Sequence, residues 1–379
     1  MQKITHIFLL LLLPLFQVEA QQTLRETILQ GGIQREYLVY IPEMYDGTSP
    51  VPLMFNFHGY GGSAIGHMNG TGMKSVADTA GFILVCPQGS LFSGSTHWSV
   101  GSWTNGSTAD DLGFTEAIID TLASTYTIDL NRVYSCGYSN GGYFSFELAC
   151  QLSHRIAAIG SVGGKMSSET YNTCSPTHPT PVVSIHGTAD NVVTYYTSEP
   201  VNSKNVAEVN EFWRRYNNTD QKAIVESLPN LNTADGSTVE YQIFPNGDKC
   251  TSVAHYKVIG GGHDWPGVWG NQDIDASSVI WSFVSQYNLN GLITCNTLTS
   301  HANILSKPVS FFPNPTSDFF TLSLDFDHEV SCHIYSSIGA LVLSQKVSPT
   351  DPIVDVSELP ANVYYVTVGR HTKKLIKRN

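Results

Sequence analysis

Three residues of this chain have the types and the order needed to activate an alcohol. Ser139 sits at the centre of Gly137-Tyr138-Ser139-Asn140-Gly141, between an apolar run and an amphipathic stretch. A serine hydroxyl is a poor nucleophile until a histidine takes its proton and a carboxylate orients that histidine. The spacing predicts strand, tight turn and helix here. The flanking glycines leave room for a strained turn, and the helix N-terminus favours developing negative charge. Asp190 follows an apolar run through Gly187-Thr188-Ala189, and His263 lies in Gly260-Gly-Gly-His263-Asp-Trp265-Pro266-Gly267. Asp190 could instead be a turn former, as aspartates often are, and His263 a solvated loop residue. Their positions directly after buried strands, in the order nucleophile, acid, base, favour catalysis. Asp220, Asp235 and Asp248 lie in polar loops, and Asp264 adjoins the histidine too closely to orient it.

The tetrahedral intermediate of such a reaction needs N–H donors for its oxyanion. Asn140, directly after the nucleophile, is one expected donor. The other is expected in His58-Gly59-Tyr60-Gly61-Gly62, with Tyr60 the first choice and Gly61 the second. That loop lacks the Lys-Ser/Thr ending of a phosphate cradle. No Cys or His spacing of the zinc kind appears, so neither cofactor nor metal is expected. Trp103 and Trp265, near the glycine-rich turns, are expected to bind substrate, and Trp98 is a weaker candidate. His58 is expected to shape its loop and His186 to pack within a strand.

These residues must be carried by a scaffold. Two extended runs broken by Gly31-Gly32 read as a hairpin. Strands are expected over 51–57, 82–86, 132–136, 156–162, 181–186, 238–244 and 253–259. Helices are expected over 72–80, after Asp110 or Asp111 as cap, and over 143–152, 203–216 and 275–287. Strands apolar throughout, alternating with amphipathic helices, indicate an α/β class with a mostly parallel sheet covered on both faces.

The 379-residue chain has 32 acidic and 20 basic side chains, a net charge of -12, which argues against nucleic acid or anionic membrane as partner. Residues 1–20 have signal-peptide anatomy: one early lysine, a short apolar middle, then Val18-Glu19-Ala20. The apolar run is shorter than the roughly 20 residues a spanning helix needs, so no membrane segment is expected after signal removal. Seven cysteines in an exported chain permit disulfides and leave at least one thiol free. Cys86 and Cys136 read as small buried hydrophobes. Cys150 and Cys174 bracket a short segment, and Cys250 with Cys295 could tie the region before His263 to the end of the last helix. The sequence leaves that pairing open. Beyond 290 the α/β alternation stops. The expected division is a signal over 1–20, a core over 21–290, a linker over 291–307 and a small all-β domain over 308–379.

Taken together, the early His-Gly-Tyr-Gly-Gly, Asp111-Leu-Gly-Phe114, Gly-Tyr-Ser-Asn-Gly-Gly, His186-Gly-Thr-Ala-Asp190 and Gly-Gly-Gly-His-Asp-Trp-Pro-Gly resemble a known group. It comprises the secreted polyhydroxybutyrate depolymerase-like, feruloyl and acetylxylan esterases related to carbohydrate esterase family one. The resemblance implies an α/β-hydrolase fold and ester hydrolysis through an acyl-enzyme, with Ser139, Asp190 and His263 in the matching positions. It implies an ester-bearing polysaccharide or a polyester as substrate, and a Cys150–Cys174 bridge. The tail resembles the sorting domain of type IX secretion in Bacteroidetes. Its markers are Phe312-Pro-Asn-Pro315, Tyr335-Ser-Ser-Ile-Gly339, Leu359-Pro-Ala-Asn-Val-Tyr364 and a basic end. That implies the type IX machinery as partner of residues 308–379, and an extracellular or cell-surface destination. Asn362 stands where a glycine is usual, and asparagine tolerates the positive φ such a turn needs. The competing reading is a catalytically silent, carbohydrate-binding surface protein on the same scaffold. A peptidase is a third, since such a triad also cleaves amides.

Overall fold

The computed structural model describes residues 21–200, 202–295, 310–323, 330–336, 341–348, 350–368 and 371–378. The expected signal peptide and the expected linker beyond Cys295 lie outside the described residues.

The chain opens with the hairpin β1 (Gln22–Gln30) and β2 (Ile33–Ile41), then β3 (Val51–Phe57). Helices α1 (Ala64–Gly70) and α2 (Met73–Ala80) lead to β4 (Ile83–Pro87) and a small hairpin of β5 (Ser90–Phe92) and β6 (Ser95–His97). Next come α3 (Asp111–Thr125), β7 (Ile128–Tyr138), α4 (Asn140–Gln151), β8 (Ala158–Val162), α5 (Ser168–Thr173) and β9 (Val182–Gly187). Helix α6 (Val206–Tyr216), β10 (Ile224–Ser227), β11 (Thr238–Phe244), β12 (Val253–Ile259) and α7 (Ala276–Val284) complete the core.

Ten strands form one sheet in the order β1-β2-β4-β3-β7-β8-β9-β12-β11-β10. Its centre, β4-β3-β7-β8-β9-β12, is parallel throughout, and both margins are antiparallel. The expected α/β class and mostly parallel sheet are therefore present. Residues alternate across the central strands, so Leu53, Phe55 and Phe57 of β3 enter one apolar layer and Met54 the other. Phe57, Trp98 and Phe144 interlock in the first layer, with ring centroids 4.9–5.3 Å apart. Truncating one such buried ring to alanine costs about 3–5 kcal/mol.

Caps place the helices. Asp110 accepts from Gly113 N at 2.9 Å and starts α3. Asp111 is instead committed to a buried pair with Arg35 at 2.7 Å and to Ser99 N. Asn205 and Glu208 form a reciprocal capping box on α6. The sequence reading did not foresee α1, α5, β10 or the β5–β6 hairpin. Each is short, and β10 is exposed along its whole length, so none shows a strong hydrophobic period.

Both cysteine pairs bracketed in the sequence are bonded, Cys150–Cys174 and Cys250–Cys295, while Cys86 and Cys136 are buried thiols. The second bridge and a short strand pair occupy the first residues of the expected linker. Strand β13 (Tyr287–Asn288) pairs with β14 (Gly291–Leu292), and the bridge fastens Cys295.

In the tail, β15 (Ser310–Phe312), β16 (Phe319–Ser323) and β19 (Ile353–Asp355) form one antiparallel sheet. A second contains β17 (Val330–Ser336), β18 (Leu341–Val347), β20 (Asn362–Val368) and β21 (His371–Lys377). Phe320, Ile334, Val354 and Val366 share their common core. Asn314 explains its motif: its side-chain amide donates to Lys374 O at 2.7 Å and accepts from Ile376 N at 2.9 Å, substituting for a paired strand. Asn362 is not among the positive-φ residues. It opens β20 as ordinary extended chain, so the expected left-handed turn is not made there.

Candidate active site

Ser139 has φ 53° and ψ -119°, a conformation that costs a non-glycine residue about 1–3 kcal/mol and persists only where the surroundings impose it. Ser139 N donates to Val162 O at 2.8 Å, and Tyr143 N donates to Ser139 O at 3.0 Å, so β8 and α4 hold the turn from both sides. At Gly141 a Cβ would overlap the backbone of Phe57 and His58, which explains why no side chain follows at that position. The Ser139 hydroxyl does not cap α4 and is left for other use.

Asp190 and His263 meet directly: His263 Nδ1 lies 2.6 Å from Asp190 Oδ2. A carboxylate accepts, so Nδ1 carries the proton and Nε2 is the basic nitrogen. Asp190 Oδ1 accepts from Val192 N at 2.9 Å and Val193 N at 2.8 Å. His186, read in the sequence as a packing residue, does more. Its Nε2 donates to Val193 O at 2.7 Å and lies 3.3 Å from Asp190 Oδ2. Burial raises the Asp190 pKa, but hydrogen bonds from His186 and His263 outweigh it and hold the carboxyl well below its ordinary value. The acid is therefore an ionised, rigidly held acceptor.

The segment after Asp190 is anchored by a residue the sequence reading missed. Lys165 is buried, and its Nζ donates to Thr194 O at 2.8 Å, Thr197 O at 3.0 Å and Glu199 O at 2.7 Å. Burial lowers its pKa to about 8. A lone lysine in a glycine-rich turn carries no sequence sign of such a cage.

Around His263, the Tyr138 ring lies tilted at 4.9 Å between ring centroids and donates its hydroxyl to His263 O at 2.6 Å. Residue 163 relates the histidine to the serine strand. Val162 O accepts Ser139 N, and a Cβ on Gly163 would stand 3.1 Å from His263 Cε1. The strand ends thus gather Ser139, Asp190 and His263 at the carboxyl edge of the parallel sheet, the usual ligand edge in such folds.

In the loop after β3, Gly61 N donates to Thr96 O at 2.8 Å and Gly62 N to Gly59 O at 2.9 Å. Tyr60 N–H has no protein acceptor among the described residues, so the first choice of donor is the available one. Asn140 is the first residue of α4, and its N–H has no acceptor within the helix. His58 shapes this loop as expected: Nδ1 donates to Gly59 O at 2.7 Å and Nε2 accepts from Gly89 N at 3.0 Å. Burial lowers its pKa to about 4, so it stays neutral.

The tryptophans divide. Trp103 is half-buried, edge-on to Tyr143 at 4.8 Å. Trp265 is fully buried against His67 and Tyr138, which corrects its expected contact with substrate. Trp269, four residues on, is 37% exposed and edge-on to Tyr138 at 5.9 Å, so it takes the outward position. Trp98 is also fully buried.

Residues 50–227 match the Phospholipase/Carboxylesterase family, and residues 310–379 match the Secretion system C-terminal sorting domain. A bifunctional acetylxylan esterase/xylanase of Neocallimastix patriciarum is 26% identical over 73% of this chain and 36% of its own length. Feruloyl esterase B of Piromyces equi is 29% identical over 67% of this chain and 46% of its own. The chain thus spans less than half the length of either relative. The solved acetyl xylan esterase of Aspergillus awamori superposes with a TM-score of 0.51 at 18% identity, covering 70% of this chain and 99% of that one, which shows a shared fold. The core has the α/β-hydrolase fold and is similar in sequence to feruloyl and acetylxylan esterases. It is followed by residues 310–379, whose match to the secretion sorting family indicates export from the cell.

Proposed function

We propose that the core hydrolyses carboxylic esters through an acyl-enzyme, with Ser139 as nucleophile, His263 as base and Asp190 as the acid that orients it. The observation that carries this reading is the 2.6 Å Asp190–His263 hydrogen bond at the strand ends beside the strained turn of Ser139. As Ser139 Oγ attacks the ester carbonyl, its proton passes to His263 Nε2. The resulting oxyanion lies between the N–H groups of Tyr60 and Asn140. Collapse expels the alcohol, which takes the proton back from His263 and leaves the acyl group on Ser139. Water repeats the sequence and releases the acid. Asp190 stays ionised throughout, as its depressed pKa favours.

The substrate we propose is a feruloyl or acetyl ester borne on polysaccharide, a reading supported by the named relatives. Outward-facing Trp269 and half-buried Trp103 are the surfaces that would bear on it. Hydrolysis of p-nitrophenyl acetate should vanish in Ser139→Ala. Activity that survives this change rejects the mechanism. Product analysis on feruloylated or acetylated xylan beside polyhydroxybutyrate then tests the substrate. Release of hydroxybutyrate alone would replace the polysaccharide reading with a polyesterase.

A further inference from the structure

Both proposed oxyanion donors are tied to one short segment, residues 96–98. Thr96 binds the loop after β3 twice, taking the Gly61 N–H on its carbonyl and donating its hydroxyl to Gly62 O at 2.6 Å. Trp98 binds the same loop from the other side of Tyr60, its indole N–H donating to His58 O at 2.9 Å. The Tyr60 peptide is therefore anchored before and after its N–H. Trp98 also fixes the second donor: its N–H reaches Asn140 Oδ1 at 2.7 Å, and its carbonyl accepts from Asn140 Nδ2 at 3.0 Å. Between the two, His97 is buried and anchors the segment elsewhere, through Ser90 O at 2.9 Å and Ser107 Oγ at 2.6 Å.

We infer that the β5–β6 hairpin with Trp98 is a splint that sets the spacing of the two oxyanion donors, and that Thr96 is its positioning residue. This rests on the reading of Tyr60 and Asn140 as those donors. The chemistry requires such a device, because N–H dipoles stabilise an oxyanion only when fixed in advance at hydrogen-bond distance from where the charge appears. The other bonds of the loop after β3 converge on His58 and Gly59, ahead of Tyr60. The loop is built of His58-Gly59-Tyr60-Gly61-Gly62, and Gly61 has φ +73°. Without the Thr96 hydroxyl, the Gly62 carbonyl loses its partner, and the loop is held to the hairpin at Gly61 N alone, so the Tyr60 N–H is aimed less sharply. Ground-state binding needs no such precision, so the splint acts on the transition state.

Thr96→Val in the full mature chain removes the hydroxyl and keeps the shape. The expected result on p-nitrophenyl acetate is a kcat lower by about 10- to 100-fold, in the range set by losing or misplacing one donor, with KM within about twofold. Inhibition by a phenylboronic acid, which adds to serine as a tetrahedral anion, should weaken in parallel. Thr96→Ser, which restores the hydroxyl, should recover wild-type kcat. Wild-type kcat in Thr96→Val, or a loss seen in KM alone with boronate affinity unchanged, overturns the splint. Should the valine variant fail to fold, Thr96→Ala carries the same expectations. Ser139→Ala serves as the separate control: activity there rejects the acyl-enzyme reading itself, whereas an inactive Ser139→Ala beside a fully active Thr96→Val rejects only the splint.

Discussion

The carboxylate of Asp190 spends both oxygens on fixed donors, and one of those donors is His263, the residue proposed as base. Oδ1 is held by two backbone amides, while Oδ2 faces His263 Nδ1 at 2.6 Å and His186 Nε2 at 3.3 Å. An acid so restrained defines the tautomer of His263 as well as the ring's direction.

Asp190→Asn tests that tautomer. The amide preserves shape, but its NH2 group can face Nδ1 and stabilise the form protonated at Nε2, which cannot accept the serine proton. A fall of about 10⁴-fold in kcat is expected, with thermal unfolding changed little by comparison. Steady-state kinetics beside calorimetry check this. A loss below tenfold would assign the orienting role to another group.

Acid should destabilise the core well above the range where carboxylates titrate. His255 is fully buried, between Ser184 Oγ and Tyr195 OH, each at 2.8 Å. Burial first, and the nearby His186 and Lys257, lower its pKa from 6.5 to about 3, although Ser184 works the other way. A base with a depressed folded pKa binds fewer protons when folded, so stability is full above about pH 6.5 and falls as pH drops below it. This one group contributes a loss of about 1.4 kcal/mol per pH unit between roughly pH 6 and 4. Urea unfolding of His255→Gln should show a slope smaller by that amount. His67, lowered to about 3, and His58, lowered to about 4, keep the remaining slope in the same direction. An unchanged slope would show that His255 titrates normally.

The proposed triad was legible because Ser139, Asp190 and His263 each come shortly after a strand with a buried run, a pattern set by burial in a parallel sheet. The sequence also carried the helix start at Asp110 through capping chemistry. It could not reveal that Asp111, next door, is spent on Arg35, because that pairing joins residues 76 positions apart. Lys165 and Thr96 were illegible for a similar reason. Their function is to bind main-chain carbonyls of a distant loop, and carbonyls have no sequence signature. Trp265 and Trp269 share one loop and one residue type, so only the packed structure separates a buried ring from an outward one.

That separation has kinetic consequences. Trp269→Ala should raise KM for feruloylated xylan several-fold while kcat and the melting temperature stay near wild type. Trp265→Ala should instead cost about 3–5 kcal/mol of stability, as for other buried aromatic truncations. Equal KM values for wild type and Trp269→Ala would remove Trp269 from the substrate surface.

Gly163→Ala isolates the geometry of the base. The residue has φ +59°, so an alanine is strained by about 1 kcal/mol, a cost most cores absorb. The added methyl would also stand 3.1 Å from His263 Cε1 and 3.2 Å from Nδ1, closer than ordinary contact. The imidazole must then yield by a few tenths of an ångström, away from Asp190 or from Ser139. Activity should therefore fall more than stability, with kcat lower by about tenfold or more and a melting temperature lower by only a few degrees. The low-field proton resonance of the Asp190–His263 hydrogen bond should move with it. Full activity with an unmoved resonance would mean that the loop of His263 shifts as a body and preserves the pair.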